Sequence, residues 1–197
     1  MQIRPGTGHF VSSLATDGRD RPVSRRGFLA VGAGSALAAA WASPLVLASM
    51  ERRSLSFVHT HTGEKLRVEY FSEGIYRLEA LASINYLLRD FRTGDVHAID
   101  PELLDVLNEL AMRAAVDAPY EVISAYRSPA TNAMLRSKSD GVAEHSQHML
   151  GKAIDIRLAG VATEQLAAMA RALARGGVGY YAESNFVHVD TGPVRVW

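Results

Sequence analysis

This chain contains the decapeptide Ser146-Gln147-His148-Met149-Leu150-Gly151-Lys152-Ala153-Ile154-Asp155, and a second motif, His188-Val189-Asp190, follows 33 residues later. His148, Asp155 and His188 offer two imidazoles and one carboxylate. Three protein ligands of this kind suit a zinc site that leaves its fourth position to water. A zinc site with an open position can activate that water for attack on a carbonyl or phosphoryl centre.

The residues around the first motif predict a strand that presents Asp155 away from the core. In residues 152–158, Ile154 and Ile156 alternate with Asp155, as expected for a strand with one buried face. A carboxylate within such a strand is costly to bury unless it is paired or bound to a metal. Gly151, just before the strand, can bend the chain and allow the backbone to approach closely.

The second motif also predicts a strand that presents a candidate ligand away from the core. His188 lies between Val187 and Val189, so the two valines are expected to face the core and His188 the opposite side. Phe186 and Asp190 share the face of His188. Each imidazole taken alone is compatible with an ordinary hydrogen-bonded core histidine, but the ordered set of three residues favours a metal site.

Outward from these motifs, the pattern predicts an α+β fold with a small antiparallel sheet flanked by helices. The last two strands are too close in sequence for a crossover helix, which favours antiparallel pairing. Asp100 and Ser128 each precede a proline, a combination typical of the start of a helix. The predicted strands are 54–59, 65–71, 120–125, 152–158, 179–181 and 186–190, and the predicted helices are 75–91, one from Pro101, one from Pro129, and 164–175 closed by Gly176 and Gly177.

Length and composition limit the function. The chain has 197 residues, no cysteine, and equal numbers of acidic and basic side chains. Residues 1–48 carry five arginines and two aspartates, so the remainder has a small acidic excess. That balance argues against a nucleic acid partner, because phosphate binding requires a basic surface. Without cysteine, zinc must be held by nitrogen and oxygen ligands.

The N-terminus has the pattern of an export signal. The twin-arginine sequence Ser24-Arg25-Arg26-Gly27-Phe28-Leu29 leads into an uncharged run that extends to Met50. Val46-Leu47-Ala48 offers a cleavage site with small or apolar residues. The sequence predicts a twin-arginine signal peptide over residues 1–48 and a periplasmic domain, which carries the candidate zinc site, over residues 49–197. A retained membrane anchor is the alternative, because the run is long enough to span a bilayer.

The first motif also resembles that of a known family. Its Ser-x-His-x-x-Gly-x-Ala-x-Asp spacing is similar to the signature of the M15 and related LAS zinc peptidases, and Ser124-Ala125-Tyr126-Arg127-Ser128 resembles the segment that precedes it there. The likeness is closer to the DUF882 branch and covers nearly all of residues 54–197. It implies Zn²⁺ bound by His148, Asp155 and His188, and hydrolysis of peptide cross-links in peptidoglycan. It also implies the fold that LAS D-Ala-D-Ala peptidases share with the hedgehog signalling domain.

The resemblance further implies a role for Arg127, whose counterpart in the family lies near the metal and stabilises the developing oxyanion. A fixed guanidinium is well suited to that task. A surface salt bridge is the alternative for Arg127.

The general base is less clear from the sequence. Many family members have an acid three residues before the last histidine ligand, where this chain has Asn185. Asp190 can act as the base or as a carboxylate that orients His188. Glu183 and His145 are the other candidates for the base.

The sequence therefore predicts a zinc-dependent murein endopeptidase that acts on stem peptides of peptidoglycan. Two alternatives remain: a peptidoglycan-binding module that kept the zinc site without hydrolysis, and a D-alanyl-D-alanine carboxypeptidase. Four aromatic residues, Tyr126, Tyr180, Tyr181 and Trp197, either line a substrate groove or pack at the edge of the core. The sequence does not indicate an oligomeric state.

Overall fold

The structure is a computed structural model that describes residues 51–139 and 141–197. The predicted signal peptide, residues 1–48, lies outside the described residues. None of the helices in the described ranges has the length and apolar character needed to cross a membrane. The eight strands are β1 Arg52–His59, β2 Lys65–Ser72, β3 Ile75–Tyr76, β4 Tyr120–Ser124, β5 Ala153–Leu158, β6 Gly177–Tyr181, β7 Phe186–Asp190 and β8 Arg195–Val196. The helices are α1 Leu78–Leu87, α2 Pro101–Ala114, α3 Pro129–Arg136 and α4 Thr163–Leu173, with a 3₁₀ turn at Gln147–Leu150.

The eight strands of the described residues form one sheet in the order β3-β2-β1-β4-β5-β7-β6-β8. The α+β class is confirmed, but the expected small antiparallel sheet is larger and mixed. β1 pairs with β4 in parallel, and so does β6 with β8. The β1–β4 pair is joined through a hairpin and two helices, a connection long enough for a parallel crossover. Local spacing could not reveal this pairing because it joins residues about 60 positions apart.

The predicted helix over residues 75–91 begins too early and ends too late. Ile75 belongs to β3, which pairs with the end of β2 through a turn at Glu73 and Gly74. Both turn residues have positive φ, 55° and 80°, the backbone twist that a two-residue hairpin requires. The helix itself runs only from Leu78 to Leu87.

The predicted helix starts are confirmed by their caps. The Asp100 side chain accepts a hydrogen bond from the Glu102 amide, and Ser128 accepts one from the Thr131 amide. The predicted closure of α4 by glycine is wrong, because its left-handed cap is Ala174. Gly176 has a different role. A Cβ there would lie 1.7 Å from the carbonyl oxygen of Asp190, so only glycine allows these two backbone segments to approach so closely.

The core lies between one face of the sheet and the helices. Ile154, Ile156, Val187 and Val189 are buried there, as the alternation in β5 and β7 predicted. The buried face of α2 covers the same core with four leucines: Leu103, Leu104, Leu107 and Leu110. Since side chains alternate along a strand, the residues between these positions point to the opposite face of the sheet.

Gly151 ends the 3₁₀ turn in a left-handed conformation, with φ +65°. A Cβ at this position would lie 2.2 Å from the carbonyl oxygen of Ala98. Gly63 has a similar φ of +73° in the β1–β2 turn, but nothing lies within 4 Å of a Cβ built there. The two glycines therefore separate backbone strain from steric overlap.

We expect Gly151→Ala to lower the free energy of unfolding by about 3 kcal/mol, because left-handed strain adds to overpacking. Gly63→Ala, the matched control, should cost about 1 kcal/mol from strain alone. Urea denaturation of both variants beside the wild type measures the difference. Equal losses in the two variants would show that the contact with Ala98 is not a constraint.

Candidate metal centre

Three buried side chains converge at the centre of the sheet. His148 Nε2 lies 3.2 Å from His188 Nδ1 and 3.3 Å from Asp155 Oδ1, and His188 Nδ1 lies 2.9 Å from Asp155 Oδ1. Donors around a tetrahedral zinc ion with bonds near 2.0 Å stand roughly 3.3 Å apart. The three residues form a candidate metal site in the described part of the chain, and their separations fit such an ion.

Secondary structure fixes each of the three donors. Asp155 and His188 are directly opposite each other in the β5–β7 ladder. His148 lies in the 3₁₀ turn just before β5, where the Ser146 hydroxyl accepts a hydrogen bond from the His148 amide. Gly151 then turns the chain into the strand. The ten-residue motif therefore delivers two donors to one point through a tight turn.

The other nitrogen of each imidazole has its own partner. His148 Nδ1 lies 2.7 Å from the carbonyl oxygen of Ala125, to which it can only donate. His188 Nε2 lies 2.9 Å from Asp190 Oδ2. These bonds assign the protons to the nitrogens that point away from the cluster. The lone pairs of His148 Nε2 and His188 Nδ1 are thereby directed to the metal position.

Asp190 is fully buried behind His188. Its Oδ1 accepts hydrogen bonds from the amides of Gly177 and Gly192, and its Oδ2 accepts one from Arg195 Nη2 at 2.6 Å. Burial alone would raise the pKa of Asp190, but the bond from His188 and the two amides hold it well below its usual range. With its oxygens occupied and no face on the cleft, Asp190 is placed to orient His188.

The candidate donors interact electrostatically with one another. Burial would raise the pKa of Asp155, but the neighbouring His148 and His188 hold it well below its usual range. Burial would lower the pKa of His188, but Asp155 and Asp190 together raise it. The imidazole of His188 thus lies between two carboxylates, which stabilise either a proton or a metal cation on it.

Arg127 lies beside the cluster and is not a surface residue, since only 12% of its side chain is exposed. Its Nη2 is 4.0 Å from Asp155 Oδ2, and its Nη1 donates to Asn132. Its backbone amide donates to the His148 carbonyl, and its Nε has no hydrogen-bond partner among the described residues. Burial lowers the pKa of Arg127. The guanidinium therefore keeps donor capacity next to the metal position.

A cleft of about 580 Å³ opens over the three donors. Its polar lining includes Arg127, His145 and Arg195, and Tyr181, Phe186 and Trp197 form an aromatic side. Among the described residues that line it, Asp155 is the only carboxylate. Of the candidates for the general base, His145 lines the cleft and Asp190 and Glu183 do not.

Asn185 cannot supply the base because its side-chain amide does not accept a proton, and the structure also places it away from the cleft. It lies in the turn between β6 and β7 with φ 51°, and its side chain accepts a hydrogen bond from Thr163. It therefore faces the start of α4 and not the cleft. Arg195, the partner of Asp190, was not predicted from the sequence, although its place five residues after Asp190 is a usable signal.

The four aromatic residues divide between the two sequence-based alternatives. Tyr181 and Trp197 line the cleft. Tyr126 stacks on His97 with ring centroids 4.7 Å apart, and Tyr180 packs against the core.

A His–Asp–His donor set that opens into a cleft, carried on a mixed α+β fold, is the arrangement expected of a metal-dependent hydrolase. The family model Peptidase_M15_2, with the description Peptidoglycan L,D-endopeptidase MepK, matches residues 47–197. The chain belongs to this peptidase family, and the resemblance found in the sequence is confirmed.

Individual relatives agree with the family match. The chain is 40% identical over 176 residues to the Peptidoglycan L,D-endopeptidase MepK of Escherichia coli (strain K12), an alignment that covers 88% of this chain and 97% of the relative. It is 46% identical over 149 residues to the Probable peptidoglycan L,D-endopeptidase MepK of Haemophilus influenzae, covering 74% and 78% of the two chains. No solved structure is significantly similar to the chain.

Replacing Asp190 tests its orienting role. We expect Asp190→Ala to weaken zinc binding by about 10–100-fold, because His188 loses the bond that fixes its tautomer. Competition with a chromophoric chelator measures the affinity, and circular dichroism checks the fold. Arg195→Ala is the control, since it leaves the Asp190–His188 bond in place and should weaken zinc binding less. Unchanged zinc affinity in Asp190→Ala, with activity lost, would instead favour Asp190 as the general base.

Proposed function

We propose that this chain is a zinc-dependent murein endopeptidase that hydrolyses stem-peptide cross-links of peptidoglycan. The observation that carries the proposal is the convergence of His148, Asp155 and His188 in an open cleft. The names of its relatives supply the substrate class. Zinc suits a donor set of two imidazoles and one carboxylate, and the chain has no thiolate to offer.

When bound there, Zn²⁺ would lower the pKa of its water and polarise the scissile carbonyl. The chain's own residues supply the remaining steps. We assign Arg127 to the oxyanion, because its partly unpaired guanidinium lies beside Asp155 in a buried setting where fixed charges act strongly. We assign Asp190 to holding His188 in its ligating tautomer.

Proton transfer is assigned to His145. His145 lines the cleft, whereas Asp190 is buried behind His188 and Glu183 lies outside the lining. A neutral imidazole can accept a proton from the attacking water and pass it to the leaving amine. This assignment gives the chain a base although residue 185 is not an acid.

We also propose a periplasmic location and a specific fold type for this chain. The twin-arginine pattern at Ser24–Leu29 supports export of residues 49–197 to the periplasm, where peptidoglycan is found. The mixed sheet with a central His–Asp–His site supports the fold type of the LAS D-Ala-D-Ala peptidases and the hedgehog domain.

Digestion of cross-linked peptidoglycan tests the function. The purified, zinc-loaded full chain should convert muropeptide dimers to monomers, and a chelator or His188→Ala should abolish the conversion because the metal is lost. His97→Ala, an exposed histidine outside the cleft, is the control. Mass spectrometry of the products distinguishes the alternatives. Loss of a single D-alanine would indicate a carboxypeptidase, and bound but intact dimers would indicate a binding module.

Two substitutions separate chemistry from metal binding. Arg127→Gln should lower kcat by about 10²–10³-fold through loss of oxyanion stabilisation, and His145→Gln by about 10²-fold or more through loss of proton transfer. Zinc content, measured by atomic absorption, should stay at the wild-type level in both. Arg136→Gln, an exposed arginine, is the matched control. Wild-type kcat in either variant would remove that residue from the mechanism.

A further inference from the structure

One side of the cleft is an aromatic surface formed by Tyr181, Phe186 and Trp197, here called the aromatic wall. Tyr181 and Phe186 are stacked with ring centroids 4.5 Å apart. The Trp197 indole Nε1 donates to the Tyr181 hydroxyl at 2.9 Å. The indole centroid lies 5.2 Å from the ring of His188, so the wall reaches the metal centre itself.

The backbone holds Trp197 in this position. Its amide donates to the carbonyl of Val178, and its carbonyl accepts a hydrogen bond from Tyr180, which extends the β6–β8 ladder. The indole lies on the backbone of Gly179, where a Cβ would be 2.6 Å from the indole Nε1. Gly179 is the ladder partner of His188. The ring is therefore seated against the strand next to the ligand strand, in a gap that glycine provides.

The indole is nevertheless far from buried. Trp197 is 47% exposed and Tyr181 is 37% exposed. The Arg195 guanidinium, which is also bound to Asp190, lies over the Trp197 ring at 5.1 Å from its centroid and covers only part of it. An aromatic ring with a fixed position and a large exposed fraction offers apolar surface to a ligand at little cost in conformational entropy.

We propose that Trp197 is a positioning residue for the substrate, on which the apolar methylene chain of the cross-linking diamino acid packs. This inference rests on the proposed murein endopeptidase function. Stem peptides carry little apolar surface besides such methylene chains and small side chains. A substrate that contacts the indole has its neighbouring peptide bond held close to the ligands, because the indole lies beside His188.

A merely structural role for Trp197 has different consequences. As edge packing against β6, the ring would support His188, and its loss would reduce zinc affinity or stability. As a positioning surface, its loss raises KM for the cross-linked substrate and leaves zinc affinity unchanged. The split between KM and zinc affinity therefore decides between the two roles.

Kinetics with a purified muropeptide dimer provide the first test. In the full-length, zinc-loaded protein we expect Trp197→Ala to raise KM about tenfold and Trp197→Phe to raise it less, because phenylalanine keeps part of the apolar face. Tyr86→Ala is the matched control. Tyr86 is also exposed, carries a stacked arginine at 4.2 Å, and lies outside the cleft. It should leave KM unchanged.

Fluorescence gives a second readout that does not depend on turnover. The chain has two tryptophans, Trp41 and Trp197, so Trp41→Phe makes Trp197 the sole reporter. Adding the muropeptide dimer to the chelator-treated Trp41→Phe protein should shift the Trp197 emission in a saturable way. Adding Co²⁺ without substrate should quench the emission, because the ring lies beside a metal ligand.

The outcomes are separable. Wild-type KM in Trp197→Ala, or an emission that the dimer does not alter, would overturn the positioning role. A drop in zinc affinity in Trp197→Ala that accounts for its lost activity would overturn it in favour of edge packing. Failure of the wild type to split the dimer would overturn the proposed function instead, and that result is visible before any variant is made.

Discussion

The pairing of β5 with β7 is the interaction on which the site depends. It places Asp155 directly opposite His188 in the ladder, with the core-facing isoleucines and valines on the other side of the same strands. A carboxylate buried in this way is destabilising unless positive charge lies close to it. The nearby Arg127 meets that requirement, together with the proton or metal cation that His188 can hold. The positive charge that stabilises the buried Asp155 can therefore be supplied by a metal cation bound at the same place.

A series of paired side chains also leads from His188 to Asp190 and on to Arg195. Arg195 binds Asp190, Asp190 binds His188, and His188 faces the metal position. Each group in this series is paired with its opposite, so no unpaired charge is left behind the ligand. The arrangement directs the lone pair of His188 Nδ1 toward Asp155 and the cleft. In the proposed mechanism, the Asp190 side of this imidazole fixes its orientation, and Arg127 and His145 act on the cleft side.

Much of this arrangement was predictable from the sequence, because the informative signals are local. Alternation in β5 and β7 predicted which faces carry Asp155 and His188, and the Ser146–Asp155 motif predicted the donors. Signals between distant segments were not available. The parallel β1–β4 pair and the packing of Trp197 on Gly179 depend on contacts that no spacing rule reveals. The end of α4 was also mispredicted, because glycine is only the commonest residue at a left-handed helix cap and here the cap is Ala174.

The position of β7 within the sheet has a consequence for motion. β7 is hydrogen-bonded on both sides, to β5 and to β6. Its backbone amides donate alternately to the two sides, so exchange of all of them with solvent requires both ladders to open, which in a small domain approaches global unfolding. Residues 141–146, which contribute His145 to the opposite rim, belong to no ladder. The strand that carries His188 and the rim thus differ in how they are held: β7 lies between two ladders, whereas residues 141–146 are held by side-chain contacts such as those from Asn132 to the carbonyls of Ala143 and Glu144.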